Sequence, residues 1–284
     1  MKHGMTAGVY NADIEVFQKE IEQLAACGFD CVDYRAFVND DSPLLALSYH
    51  AFEAYLREQK AVMDASGIDV FQTHGPWVWP PRDLEESTRA IRFERMKQSI
   101  EATAMLGCRY MVVHNLMPFR AVDTDPVFVK EINFAFFSRL AEVAREYGVV
   151  ICLENMPYLQ QVLARPADMA AFARSFENDH IRMCLDTGHS WVHGISPAEG
   201  ARAIGGDQLM TLHIHDNDTT KDQHLTPFHG TVDWADFAAA LREIGFAGAL
   251  ALETKIPKEY GDAERVAMLR ELKQSLVKIE EMMK

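Results

Sequence analysis

A chain of 284 residues, 48% hydrophobic and 25% charged, is long enough for one large core and has no apolar run of membrane-spanning length. Its formal charge of −14 disfavours wide contact with a phosphate backbone, which needs clustered lysine and arginine, so neither a nucleic acid nor a membrane is an expected partner. The opening MKHGMTAGVYNADIEVF has no apolar core followed by a cleavage signal, and Cys27, Cys31, Cys108, Cys152 and Cys184 form no disulfide framework, so a cytoplasmic protein with reduced thiols is expected. Cys27 and Cys31 have no second close pair to complete a metal site and read as buried thiols.

Short aliphatic or β-branched runs alternate with longer segments of helical period along the whole chain. The predicted strands are HGMTAGVY near 3–10, DCVDYRA at 30–36, IDVFQTH at 68–74 and RYMVVHN at 109–115. They continue with VVICLEN at 149–155, IRMCLDT at 181–187, LMTLHIH at 209–215 and ALALET at 249–254. Ile14, Phe17, Ile21 and Leu24 share one helical face in the first connecting segment, as do Leu269, Leu272, Leu276 and Ile279 in the last. Gly28, Gly67, Gly107, Gly148 and Gly245 each follow a helical segment and precede a strand, where a helix C-terminus favours a left-handed residue. Eight such rounds, with no linker or compositional break, predict an α/β fold: a single (β/α)8 TIM barrel domain over 1–284. An open doubly wound sheet is the alternative, but it would bring a Gly-rich phosphate turn after the first strand, and GVYNADIEVF lacks one.

In such a barrel the chemistry sits on the loops after the strands' C-terminal ends. Six successive predicted strands end in polar groups suited to a metal: His74, His114, Glu154, Asp186 with His189, His213 with His215, and Glu253. Eight of the eleven histidines, the last three being His193, His224 and His229, lie at these ends or in the loops that follow. Mixed carboxylate and imidazole donors suit manganese, zinc, iron or cobalt, and two Glu, one Asp and one His leave open positions for substrate oxygens. Each residue also has a plainer explanation. A lone histidine is more often a hydrogen-bonded structural group; Asp186 in LDTGH could cap a helix; Glu253 could pair with Lys255 at a surface. Six chance placements at six successive strand ends are far less plausible than one shared site.

LENM at 153–156, LDTGH at 185–189, LHIHD at 212–216, DQH at 222–224 and LET at 252–254 together resemble the xylose isomerase-like TIM barrel superfamily. That superfamily holds sugar (or sugar phosphate) isomerases and epimerases as well as the endonuclease IV-type AP endonucleases. The resemblance implies one divalent metal on Glu154, Asp186, His213 and Glu253, manganese first, with zinc, cobalt, magnesium or iron as alternatives and no organic cofactor. It also implies that His189 and His224 touch substrate. His215 stands where relatives carry various residues and is left open as a ligand. Nine residues, His74, His114, Glu154, Asp186, His189, His213, Asp222, His224 and Glu253, also look like the three-zinc set of the endonuclease IV group. On that alternative His74, His114, His189, Asp222 and His224 are additional metal ligands.

The expected activity is isomerisation or epimerisation of an open-chain sugar or sugar phosphate. The metal would stabilise an enediolate while Glu154 and Glu253 act as acid and base. A phosphodiester hydrolase with several zinc ions, and a lyase or dehydratase on a cyclic polyol or glycoside, are the alternatives. Asp222 is expected to orient His224, and Asp216 and Asp218 to shape the rim. His74 and Trp77 are expected at the substrate, with Trp77 and Trp79 of HGPWVWPPRDLEE offering stacking surface on a segment stiffened by Pro76, Pro80 and Pro81. Arg120 and Lys255 are candidates for a substrate phosphate, though isolated cations are usually just solvated. The resemblance is compatible with a homo-oligomer.

Overall fold

The computed structural model describes residues 1–10, 13–79, 81–118 and 125–284. Among them eight strands run parallel: β1 His3–Ala7, β2 Cys31–Tyr34, β3 Asp69–His74, β4 Tyr110–Val113, β5 Val150–Glu154, β6 Ile181–Asp186, β7 Leu209–His213 and β8 Leu250–Leu252. They hydrogen-bond in the order β7-β6-β5-β4-β3-β2-β1-β8, and a parallel bridge between Ile214 and Leu252 brings the last strand back to β7. The sheet is thus a nearly closed (β/α)8 barrel, as the alternation of elements predicts.

The connecting helices are α1 Ile14–Ala26, α2 Tyr49–Ala65, α3 Glu86–Met105, α4 Pro126–Tyr147, α5 Pro166–Arg174, α6 Thr187–Val192, α7 Pro197–Ile204, α8 Trp234–Glu243 and α9 Asp262–Met282. Their ends follow local chemistry. In α4 the Asp125 carboxylate accepts from the Val127 amide at 2.9 Å, Pro126 opens the first turn, and Gly148 stops the helix at φ 68°, a left-handed value costly for any residue with a Cβ. The helix-to-strand glycines at 28, 67, 107 and 245 share that positive φ. Phe17, Ile21 and Leu24 on α1, and Leu269, Leu272, Leu276 and Ile279 on α9, are buried against the sheet.

Strand alternation divides the core into two layers and positions the site. Ile151 and Leu153 of β5 and Met183 and Leu185 of β6 join the helix–sheet core, whereas Val150, Cys152 and Cys184 pack with Val112 of β4 inside the barrel. One step of two residues beyond that inner layer lie His114, Glu154 and Asp186, at the C-terminal mouth of the barrel. A hydrophobic plug of small and branched side chains therefore sits beneath a polar rim.

Candidate metal centre and active site

At that rim three groups of potential ligand atoms assemble, each with its atoms within 4.8 Å of one another: Glu154 with Asp186, His213 and Glu253; His74 with His114 and Glu154; and His189 with His215, Asp222 and His224. Glu154 belongs to two of them, with Oε1 3.0 Å from His213 Nδ1 and Oε2 3.1 Å from His114 Nε2 and 3.4 Å from His74 Nε2. Glu253 reaches the same His213 nitrogen from the other side, at 2.8 Å. The two glutamates thus flank one imidazole nitrogen.

The imidazoles are oriented by their outer nitrogens. Nδ1 of His74 lies 2.8 Å from the Gly75 carbonyl, Nδ1 of His189 2.8 Å from that of Asn155, and Nδ1 of His224 2.6 Å from that of Glu253. A carbonyl can only accept, so each Nδ1 carries a proton and each Nε2 is turned toward the rim. This is the arrangement that prepares histidine to bind a metal. His213 is held from both sides: Nε2 lies 3.1 Å from the fully buried Asp33 carboxylate and 3.2 Å from Arg35 Nη2, while Nδ1 faces Glu154 and Glu253.

Asp186 serves two ends. As the N-cap of α6 it accepts from the His189 amide at 2.6 Å, and it also lies 3.0 Å from His215 Nε2. Helix capping and membership of the metal group are therefore compatible. His215 stacks on His224 with ring centroids 4.1 Å apart and approaches Asp222 at 3.6 Å, which places it beside His189 and His224. The expected Asp222–His224 contact is present at 2.9 Å. Asp216 shapes the following loop, its buried carboxylate accepting from the amides of Asn217, Phe228 and Val232 and from Trp234 Nε1 at 2.9–3.1 Å.

Charge at this rim is unbalanced in one direction. Glu154, Asp186, Asp222, Glu253 and Asp33 gather here, and among the described residues the permanent cation paired with them is Arg35, 2.8 Å from Asp33 and 2.9 Å from Glu253. Burial raises the Glu154 carboxyl, but His213 and His114 beside it win and hold it well below the usual carboxylate range. Burial also opposes ionisation of Glu253, where Arg35 and then His213 prevail in the same sense. Burial disfavours a charged His189, yet Asp186 and Asp222 raise it to about 10, whereas burial takes His114 down to about 4 despite Glu154. Glu154 Oε2, Glu253 Oε2 and Asp222 Oδ1 are buried without a hydrogen-bond donor. Buried carboxylate oxygens lacking donors are satisfied by a cation, and the mixed carboxylate and imidazole set fits a divalent one.

Six of the eight histidines predicted near the strand ends converge: His74, His114, His189, His213, His215 and His224. His193 instead meets the Met156 carbonyl at 2.9 Å, and His229 is an exposed partner of Glu271. Glu253 pairs with Arg35 rather than with Lys255. Trp77 is half-buried against His114, ring centroids 4.6 Å apart, with Met117 and Met156 around it; Trp79 is 56% exposed and stacked on Tyr158. Arg120 and Pro80 lie outside the described residues. Sequence reasoning passed over Asp33 and Arg35. Their signal was two charged residues at alternate positions in CVDYRA, an otherwise apolar strand, where only the barrel interior can receive them.

The fold and this rim define a (β/α)8 barrel whose mouth gathers His, Glu and Asp groups that could hold a metal ion. A sequence profile described as xylose isomerase-like TIM barrel matches residues 21–274, and the chain belongs to that family. An uncharacterised protein of Methanocaldococcus jannaschii is 29% identical over 62% of this chain and 60% of its own length. The D-psicose 3-epimerase of Ruminiclostridium cellulolyticum is 24% identical over 89% of this chain and 83% of its own. Among solved structures, the IOLI protein with a binding zinc atom superposes with a TM-score of 0.76 at 20% identity, over 98% of both chains.

Proposed function

We propose that the protein is a divalent-metal-dependent isomerase or epimerase of a small sugar or sugar phosphate. The observation that carries this reading is the pair of buried glutamates, Glu154 and Glu253, flanking the same nitrogen of His213, with Asp186 completing the group. Glu154, Asp186, His213 and Glu253 would hold the cation, for which manganese is the first candidate and zinc the second. When bound, it would supply electrophilic polarisation of adjacent carbonyl and hydroxyl oxygens and so acidify the C–H between them.

The rest of the chemistry belongs to the chain. Glu154 and Glu253 approach from different strands, so one removes the proton from the substrate carbon and the other returns it. Return to the opposite face of that carbon gives epimerisation, and return to the neighbouring carbon gives isomerisation. His189 and His224, fixed by the Asn155 and Glu253 carbonyls, present Nε2 to substrate hydroxyls, and Asp222 orients His224. Trp77 and His74 form the wall on the β3 side, where an aromatic face excludes water from the reacting carbons. Similarity to sugar epimerases supports the substrate class.

Incubating the manganese-loaded protein with a panel of ketoses and aldoses in deuterated water tests the reading, with exchange at the carbon next to the carbonyl as the signal. Glu154→Gln is expected to fold and to lower exchange by a factor of about 10² to 10⁴. Undiminished exchange in that variant removes Glu154 from the catalytic pair.

One observation favours a second reading. The three ligand groups together bring all nine residues of the multi-zinc pattern, plus His215, to one rim. A phosphodiester hydrolase with two or three zinc ions would use them all. Metal content after purification separates the two: about one ion per chain supports the epimerase, and two or three ions with cleavage of abasic DNA and no sugar exchange supports the hydrolase.

A further inference from the structure

A cavity of about 380 Å³ lies beside the proposed metal group, between the loop after β1 and the loop after β8. Glu20, Glu253 and His224 are among the residues that line it, together with Arg35, Lys255, Lys258 and Arg265. Its volume falls within the range of small-ligand sites. The two acids in its wall are already committed. Glu20 accepts from Arg265 at 2.9 Å and from the Gly8 amide at 3.1 Å, and Glu253 is held by Arg35 at 2.9 Å.

Lys255 and Lys258 are left over: both are exposed, and neither pairs with a carboxylate among the described residues. On a convex surface a solvated lysine needs no partner. These two face a concavity whose two guanidinium groups are already neutralised by Asp33, Glu253 and Glu20, so the uncompensated charge in it is that of the two ammonium groups, in a protein whose net charge is −14. Like charges gathered in a cleft lose free energy that an anion recovers. The loop is also tied to the site, since the Lys255 amide donates to the His224 carbonyl at 3.3 Å. Loops after the seventh and eighth strands are a frequent position for phosphate in this architecture.

We propose that this cavity binds the terminal phosphate of the substrate, with Lys255 and Lys258 as its counter-charges and Glu253 at the reacting end. The inference rests on the sugar-isomerase reading and narrows it to phosphorylated sugars. Two uncommitted ammonium groups match a phosphate monoester, which carries about −1.5 to −2 at neutral pH, whereas a sugar carboxylate would leave one of them uncompensated. The long side chains reach the phosphate as point charges, and Arg265, braced by Glu20, belongs to the same lining.

The test compares the metal-loaded wild type with the double variant Lys255→Ala/Lys258→Ala, whose exposed positions leave the core untouched. Matched ketoses with and without a terminal phosphate, and the corresponding sugar acids, are assayed by deuterium exchange. The wild type is expected to prefer the phosphorylated member by at least about ten-fold in kcat/KM, through KM, and the double variant to lose that preference. Equal rates on both members in the wild type overturn the proposal, as does a preference that survives in the variant or an equal gain from the sugar acid. Inorganic phosphate, titrated against both proteins by phosphorus NMR, reads the cavity independently of catalysis. Binding at least about ten-fold tighter to the wild type supports the subsite even if no sugar exchanges, in which case only the catalytic reading fails; equal binding overturns the subsite whatever the catalysis.

Discussion

Gly188 sets two physical effects of opposite sign against each other. It lies inside α6, between Asp186 and His189, and helix propensity alone makes an alanine there more stable by about 1 kcal/mol. A Cβ at this position, however, would lie 1.9 Å from Cε1 of His215 and 2.4 Å from its Nδ1. Ordinary carbon contacts begin near 3.5 Å, so the ring would have to retreat by roughly 1.6 Å. It has nowhere to go, being fully buried and stacked on His224 with centroids 4.1 Å apart. Overpacking of this kind costs about 1–3 kcal/mol, and displacing the ring from Asp186 adds about 1 kcal/mol. The steric side wins, and Gly188→Ala is expected to be destabilised by about 1–3 kcal/mol net, a fall in Tm of about 2–10 °C for a chain of this size. Calorimetric unfolding of the metal-free protein measures it. Gly188→Ala/His215→Ala should recover much of the loss expected from adding the two single changes, because the methyl then enters the space the ring has left. A Gly188→Ala protein that melts at or above the wild type refutes the reasoning.

Three further outcomes follow from the same structure. Arg35→Ala leaves Asp33 fully buried without its cation and should cost about 3–5 kcal/mol in urea unfolding, with Arg35→Lys recovering only part because one ammonium cannot span Asp33 and Glu253; wild-type stability in Arg35→Ala would remove this pair from the account. Divalent cation at about 100 times its Kd should add about 2.7 kcal/mol, or about 5–10 °C in Tm, and chelator should reverse it; a Tm indifferent to chelator contradicts the proposed centre. His3 is buried with its imidazole pushed below the ordinary value, first by burial and then by Lys273. The unfolded chain therefore takes up that proton first, so the stability His3 contributes is present above about pH 6.5 and is lost as pH falls through its lowered folded value. Melting curves of the wild type and His3→Gln across that interval should converge toward acid; parallel curves would show no such linkage.

Much of the rim is readable from the chain because a strand is a local object with period two. Once Cys152 and Cys184 are placed in the barrel interior, Glu154 and Asp186 must point the same way two residues later. The alternation of LHIH likewise identifies His213 as inward-facing. What it does not show is partnership. His213 meets Asp33, which is 180 residues away in sequence, and His215 stacks on His224 across a loop held by Asp216. Asp33 and Arg35 were legible only as charges in an apolar strand, and their meeting with Glu253 depends on β2 and β8 both flanking β1. His193 and His229 look the same as the converging histidines in sequence and differ only in where their loops carry them.

The sequence by itself determined the alternation of strands and helices, the glycine stops between them and the chemical types at the strand ends, because each depends on residues a few positions apart. Tertiary structure decided which of those residues meet. Closing eight strands into one barrel converts separation along the chain into adjacency around a rim, so Glu154 comes to serve two ligand groups and Lys255 and Lys258 come to face a shared cavity. Such contacts are set by strand order and register, and no short window of sequence contains them.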